Sequence, residues 1–142
     1  STDNLQAFSG YLSQREDLVA EGIEVLEYRP APQIQAEIMD RYAALRAEAP
    51  VFALHAKTLV VDRRVVFVGT YNLDPRSENL NTEVGVVIYD LGQAAAVADA
   101  ITRDMQPANS WNAASDDPDQ YASSGKRARA WLLSWLPLTP VL

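Results

Sequence analysis

The sequence predicts an α/β domain in which a mixed β-sheet is layered with helices on both faces. Apolar runs typical of strands occupy residues 58–61, 65–68 and 83–89. Apolar residues at helical spacing occupy residues 4–21 before these strands and residues 91–105 after them. Because strands and helices alternate along the chain, they are expected to pack as layers around one core.

The N-terminal part of the chain begins with a predicted helix over residues 4–21, which Asp3 can cap and Gly22 can end. Its apolar positions are Leu5, Phe8, Leu12 and Val19. Residues 23–28 alternate apolar and acidic side chains, which is typical of a half-buried strand. After a proline-containing break, residues 33–48 could form a helix or an ordered excursion that ends before Pro50.

The central part of the chain is the most apolar. Residues 58–61 and 65–68 predict two strands joined by a tight turn at residues 62–64, and such continuous runs suit strands buried on both faces. Residues 71–82 are predicted to be a polar loop, and a further strand follows. Leu91, Ala95, Ala98, Ile101 and Met105 then line one face of a helix that Pro107 ends.

Composition changes after residue 106, so we expect one domain over residues 1–106 and a second segment over residues 107–142. The second segment begins as a polar connector and ends with basic residues followed by Trp131 and Trp135. This ending could rest on a membrane surface. It could also be a helix packed on the domain or on a part of the protein beyond this chain, and its short length favours packing.

Charge and composition exclude several classes of site. The 142 residues carry a net charge of −7 and contain no cysteine, which excludes disulfides and thiolate metal sites. The acidic balance argues against a general nucleic-acid binder, although a few local donors can still hold one phosphate. No apolar run reaches the length of a membrane span. The first residue is Ser1, so we expect an excised piece of a longer protein.

The single histidine, His55, lies two residues before Lys57. In an extended strand, residues two apart point to the same face, so both side chains should project together. A neutral imidazole can attack phosphorus or carry a proton, and an ammonium can stabilise the oxyanion. A lone histidine is more often an ordinary residue, but here the pair begins a longer pattern, His55-x-Lys57-x4-Asp62-x6-Gly69-Thr70-x-Asn72.

This pattern resembles the phospholipase D superfamily signature HxKxxxxDxxxxxxGSxN, and only Thr70 departs from it, keeping the hydroxyl of the usual serine. The strings at residues 72–77 and 80–83 are similar to the second-motif region of bacterial cardiolipin synthase-type proteins. Residues 11–30 and the Arg-then-Trp/Leu ending are similar as well. The resemblance covers nearly the whole chain and implies a phospholipase D-like half-domain, the C-terminal half that carries the second motif.

The resemblance also implies roles for individual residues. His55, Lys57, Asn72 and Glu83 would be catalytic; Lys57, Thr70, Asn72 and Arg76 would bind the substrate phosphate; Asp62 and Gly69 would support the fold around the site. Glu83 would accept the proton on the far nitrogen of His55, or would be only a surface carboxylate at a strand end. Asn72 could be a turn residue, Thr70 could serve only the loop, and Arg76 could form a loop salt bridge. No metal and no cofactor are implied.

The implied activity is phosphodiester transfer on phospholipids through a phosphohistidine, as in a cardiolipin synthase-like phosphatidyltransferase at the periphery of the bacterial cell membrane. Superfamily sites usually combine two motifs, so the partner would be an N-terminal half or a second identical chain. The first-half histidine is often the nucleophile, which would make His55 the general acid and base. Two alternatives stay open: a nuclease or other phosphodiesterase, although nucleic acid is an improbable partner, and an isolated non-catalytic fragment or scaffold.

Overall fold

The N-terminal helix begins the computed structural model, which describes residues 5–40, 42, 44 and 54–134. Helix α1 spans Leu5–Ala20 and ends where Gly22 adopts a φ of 84°. The amide of Gly22 donates to the Val19 carbonyl and that of Ile23 to the Leu18 carbonyl, both at 3.0 Å. This is a Schellman ending, in which glycine takes the left-handed position at no steric cost. The predicted helix and its end are confirmed.

A two-stranded sheet joins distant parts of the chain. Strand β1, Leu26–Tyr28, pairs antiparallel with β5, Ser110–Asn112. Strand β1 confirms the C-terminal part of the strand predicted over residues 23–28, whereas β5 lies in the predicted polar connector and was not anticipated. The pair crosses the predicted domain boundary at residue 106, and that boundary stays a prediction. Helix α2, Gln35–Asp40, occupies part of the predicted 33–48 helix, whose residues 41, 43 and 45–48 lie outside the described residues.

The central sheet has three antiparallel strands in the order β2-β3-β4, with β2 at Thr58–Val61, β3 at Val65–Gly69 and β4 at Gly85–Ile88. The turn between β2 and β3 has positive φ at both Asp62 (51°) and Arg63 (55°), and the Arg64 amide donates to the Val61 carbonyl at 2.9 Å. Positive φ at both central positions matches the right-handed twist of the flanking strands. The predicted strands and tight turn are confirmed.

Two capped helices flank strand β4. Helix α3, Pro75–Asn79, lies in the predicted polar loop and was missed. Helix α4, Leu91–Asp104, is the predicted helix and packs on β2 and β3. The two helices begin alike: Asp74 accepts from the amide of Ser77, and Asp90 accepts from the amide of Gln93, each at 2.7 Å. These side chains satisfy helix amides that have no intrahelical partner.

The two faces of the central sheet differ in burial. Strand register places Val60, Val66 and Ile88 on the face where α4 packs, and Val66 and Ala94 are fully buried there. On the opposite face, Leu59 is 59% exposed and Val61 47% exposed. The predicted α/β class is confirmed. The prediction that these strands are buried on both faces is not met among the described residues, because apolar composition does not say what covers a face.

The C-terminal segment packs back on the first helix. A 3₁₀ helix spans Pro118–Tyr121, and helix α5, Ser124–Ser134, lies against α1. Packing on the domain, one of the two expectations for this segment, is therefore observed, while Trp135 lies outside the described residues. In the part of the chain that the structure describes, no helix is both long and apolar enough to cross a membrane.

Candidate active site

His55 and Lys57 lie together on the segment that leads into β2. The Lys57 carbonyl accepts from the amide of Gly69 at 3.0 Å, which extends the β2–β3 ladder to this residue. The Lys57 ammonium is hydrogen-bonded to Nε2 of His55. An ammonium has no acceptor, so a neutral His55 ring must present the Nε2 lone pair and carry its proton on Nδ1. The structure thus brings together the pair that the sequence spacing predicted.

Thr70 and Glu83 lie together at the neighbouring end of the sheet, where β3 ends and β4 begins. The Thr70 hydroxyl donates to Oε2 of Glu83 and accepts from the Val84 amide at 3.0 Å. The Thr70 amide in turn donates to the Val84 carbonyl at 2.9 Å. Backbone pairing with Val84 therefore orients the threonine, and the threonine orients the carboxylate.

Arg76 is linked to the same carboxylate through an amide side chain. Asn81 donates from Nδ2 to Oε1 of Glu83 at 3.2 Å, and its Oδ1 accepts from Nε of Arg76 at 3.3 Å. Among the described residues, Arg76 forms no salt bridge, and its two terminal nitrogens have no hydrogen-bond partner. The loop salt bridge considered as the alternative for Arg76 is not seen in that part of the chain. Asn81 has no assigned role in the sequence interpretation.

Ser77 is a site residue that sequence reasoning missed. Its side chain is 4% exposed, and its hydroxyl oxygen accepts from the Asn72 amide at 3.2 Å. The Asn72 side-chain amide lies at 3.5 Å from the same oxygen. The signal was present in the sequence: aspartate, proline and serine at positions 74, 75 and 77 form the start of a capped helix, with proline at its first position.

The carboxyl group of Glu83 accepts hydrogen bonds from several of these side chains, and they lower its pKa. The hydrogen bond from Thr70, followed by those from Ser77 and Asn81 and by the positive charge of Lys57, holds the pKa of the Glu83 carboxyl below its usual range. Glu83 is therefore ionised at neutral pH and acts only as an acceptor. Its hydrogen bonds within the described residues do not include His55. The proposed role of Glu83 in orienting His55 stays a prediction.

Asp62 and Gly69 occupy the positions expected of structural residues. Asp62 lies in the turn at the far end of β2 from His55. Gly69 pairs with Gly85 across the sheet. A β-carbon built on Gly69 would lie 2.6 Å from Cζ of Phe67 and 2.7 Å from the Val84 carbonyl oxygen. Glycine is needed there because the Phe67 ring occupies the space beside the strand that carries Thr70.

The described side chains fit an anion more readily than a cation. In that part of the chain, no group of three or more histidine, aspartate or glutamate residues is arranged to hold a metal ion. Two cationic groups instead act near Glu83: Lys57 through its positive charge, and Arg76 through the hydrogen bonds of Asn81. Both are donors of the kind that phosphate oxygens accept, and an imidazole lies beside the ammonium.

Comparison with protein families gives a match over residues 6–105 to the model described as "Cardiolipin synthase, PLD-like domain". The matched range contains every sequence-predicted site residue. It also contains Ser77 and Asn81, which the structure adds to the site. No solved structure matches the chain significantly.

Several curated bacterial proteins are similar to shorter stretches of the chain. Cardiolipin synthase C of Escherichia coli (strain K12) is 40% identical over 80 residues, 56% of this chain and 16% of that protein. Cardiolipin synthase 2 of Staphylococcus epidermidis is 50% identical over 56 residues, 39% of this chain and 12% of that protein. A cardiolipin synthase of Listeria monocytogenes is 38% identical over 78 residues, 55% of this chain and 16% of that protein. The matches therefore span less than a fifth of each of these relatives.

Proposed function

Because the chain belongs to the cardiolipin synthase, PLD-like domain family, we propose that it supplies one half of a site for phosphodiester transfer on phospholipids. The family resemblance stated from the sequence is confirmed. One observation carries the proposal: the Lys57 ammonium is hydrogen-bonded to Nε2 of His55, the only histidine in the sequence, and its charge acts on the anionic Glu83. The names of the curated relatives support a phosphatidyltransferase of cardiolipin synthase type.

His55 is the proposed group that bonds to phosphorus or moves the proton. Its Nε2 lone pair accepts a hydrogen bond from the Lys57 ammonium. A bound phosphate oxygen would draw the ammonium to itself and release that lone pair. Lys57 would then stabilise the negative charge that develops on the phosphoryl oxygens. Ionised Glu83 can accept the Nδ1 proton of His55, as the family resemblance implies, after a side-chain movement.

The proposed phosphate-binding residues are Lys57, Thr70, Asn72 and Arg76. Thr70 has a single hydroxyl proton, which it donates to Glu83. It can donate to a phosphate only after leaving that carboxylate, so we propose that Thr70 acts mainly by positioning Glu83. Arg76 is held at Nε by Asn81 and can present its two terminal nitrogens as a fork to a phosphate.

The complete reaction needs a second histidine, supplied by an N-terminal half or by a second identical chain. One histidine attacks phosphorus and displaces the first alcohol, which takes a proton from the other histidine. The other histidine then removes a proton from the incoming alcohol, whose oxygen attacks phosphorus and releases the first histidine. Following the family pattern, we propose His55 as the general acid and base. The substrate implies a peripheral position on a bacterial membrane.

The test uses the full-length gene product with phosphatidylglycerol vesicles and, separately, with DNA. We expect lipid-linked transfer product from the parent, loss of that product in His55→Ala, and near-parent product in Arg63→Gln, which changes an exposed turn residue. DNA cleavage without lipid turnover would overturn the proposal in favour of a nuclease. No turnover of either substrate by a folded full-length protein would favour the scaffold interpretation.

A second experiment distinguishes between His55 as the nucleophile and His55 as the general acid and base. The substrate carries a label in the phosphatidyl group that is transferred. The reaction is quenched at alkaline pH, and the label that is bound to protein in an acid-labile adduct is measured. If His55 is the acid and base, the His55→Ala variant still accumulates the adduct or forms it slowly. Label that maps to His55 itself would make this residue the nucleophile.

A further inference from the structure

Helix α5 presents two different faces. Ala130 is buried and Lys126 half-buried on the side that packs against α1. Trp131 and Leu132 are 61% and 63% exposed on the other side. A large aromatic and a leucine exposed side by side are unusual on a helix that already has a packed face. Packing against α1 therefore accounts for Ala130 but leaves much of the surface of Trp131 and Leu132 exposed.

The exposed face has a symmetrical arrangement of charge. At about 100° per residue, Trp131 and Leu132 lie on either side of Ala128. Arg127 lies about 90° to one side of the centre of this apolar strip, and Arg129 lies about 110° to the other side. Both arginines are exposed and, within the described residues, neither forms an ion pair. This is the distribution of a helix lying in an interface, with apolar residues pointing down and cations at both flanks.

The charge of the helix is opposite to that of the whole molecule. Residues 124–134 contain three basic residues and no acidic one, whereas the chain carries a net charge of −7. A protein of this net charge is repelled by an anionic surface, so a local basic strip must provide any attraction. A protein partner would need an acidic groove of matching width, whereas an anionic lipid surface offers that complementarity to any helix of this pattern.

We propose that the exposed face of α5, formed by Arg127, Ala128, Arg129, Trp131 and Leu132, docks the protein on an anionic phospholipid surface. Trp131 and Leu132 enter the boundary between headgroups and acyl chains, and the two arginines bind lipid phosphates at its edge. The inference rests on the proposed function only in that the substrate lies in a membrane. Docking is a binding event and requires no turnover.

The experiment measures cosedimentation of the 142-residue chain with vesicles of phosphatidylcholine alone or mixed equally with phosphatidylglycerol. We expect binding to the mixed vesicles that weakens with salt. Arg127→Gln combined with Arg129→Gln should reduce the partition coefficient about 25-fold, at about fivefold for each charge. Trp131→Ala combined with Leu132→Ala should also reduce it at least tenfold.

Control variants distinguish binding through the exposed face of α5 from the general effect of removing a charge or an apolar side chain. Arg63→Gln combined with Arg64→Gln removes two exposed cations elsewhere, and Leu91→Ala removes a leucine that is 64% exposed. Both should bind vesicles like the parent. Quenching of tryptophan fluorescence by brominated acyl chains should fall in Trp131→Phe and persist in Trp111→Phe, since Trp111 is 7% exposed. Circular dichroism checks that each variant is folded.

Three results would overturn the inference. The first is a parent chain that does not bind the mixed vesicles. The second is binding that the α5 variants leave unchanged. The third is a parent that is dimeric by sedimentation, with dimers lost in the Trp131→Ala and Leu132→Ala variant, because a second copy would then cover the face. Failure of lipid turnover in the full-length protein, with vesicle binding intact, would instead count against the proposed function.

Discussion

The hydroxyl of Thr70 donates a hydrogen bond to the carboxylate of Glu83 across the open end of the β3–β4 pair. The same hydroxyl accepts the Val84 amide, so its rotamer is set by the backbone on the neighbouring strand. Because a serine hydroxyl could make both bonds, the single departure from the family signature leaves this link intact. The hydrogen bond from that hydroxyl is the largest cause of the lowered pKa of Glu83.

We expect Thr70→Val to raise the pKa of Glu83 towards its unfolded value, because the largest cause of the lowered pKa is removed. A depressed pKa stabilises the fold above the unfolded pKa, about 4.3, and this stabilisation is lost as pH falls through the folded pKa. The variant should therefore lose less stability than the parent on acidification from neutral pH. Carboxyl NMR titration and urea unfolding measure the two effects.

Thr70→Ser is the control, since it keeps the hydroxyl and should keep both the low pKa and the parent pH dependence. If Thr70→Val and Thr70→Ser titrate Glu83 at the same pH, the hydrogen bond does not control the carboxylate.

Asp74 caps the helix that presents Arg76 and Ser77. We expect Asp74→Ala to cost about 1 kcal/mol of unfolding free energy, because a helix amide loses its acceptor. It should also weaken binding of a soluble short-chain phosphatidylglycerol, measured by calorimetry on the full-length protein.

Asp90→Ala supplies a matched cap, with the same 2.7 Å acceptor geometry on α4. It should cost similar stability and leave lipid binding unchanged. Equal losses of binding in the two variants would show that the effect is general destabilisation.

Gly69 faces the ring of Phe67. We expect Gly69→Ala to destabilise the fold by about 1–3 kcal/mol, because the new methyl group must displace both the ring and the Val84 carbonyl. Gly125→Ala is the control: nothing lies within 4 Å of the position that its new methyl group would take, and it sits in a helix. It should be neutral or stabilising by up to about 1 kcal/mol. Chemical denaturation would contradict this account if both variants were equally stable.

Arg15 joins three elements of the N- and C-terminal parts. It bonds Glu27 on β1 at 2.9 Å and Asp119 in the 3₁₀ helix at 2.7 Å, and its side chain is 16% exposed. Glu27 also accepts from the Tyr11 hydroxyl at 2.9 Å. We expect Arg15→Ala to cost about 3 kcal/mol, since it leaves two carboxylates without their cation in a half-buried site.

Arg63→Ala is the exposed counterpart, because the Arg63–Asp99 pair has side chains 54% and 66% exposed. Solvent screening should limit its cost to less than about 1 kcal/mol. Urea unfolding of the two variants side by side measures the difference, and equal costs would show that the Arg15 network contributes no more than a surface pair.

Local pattern predicted much of the fold and of the site. The N-terminal helix with its Gly22 ending, strands β2 and β3, and the turn at Asp62 all follow from residues a few positions apart. Helix α3 could have been predicted too, because Asp74 and the following proline are a helix start. Strand β5 could not: three residues with one apolar side chain carry little periodicity, and they become a strand only when β1 lies beside them.

The sequence by itself determined which residues are available for chemistry. The spacing of the motif places His55 two residues before Lys57, and their side chains meet on the segment before β2, which depends only on local geometry. Tertiary structure decided how the rest of the site is connected: that Glu83 bonds Thr70 and Asn81, that Ser77 is buried behind Asn72, and which face of α5 is exposed. Those outcomes depend on strand register and on competition among hydrogen-bond donors from distant segments, which no local pattern records.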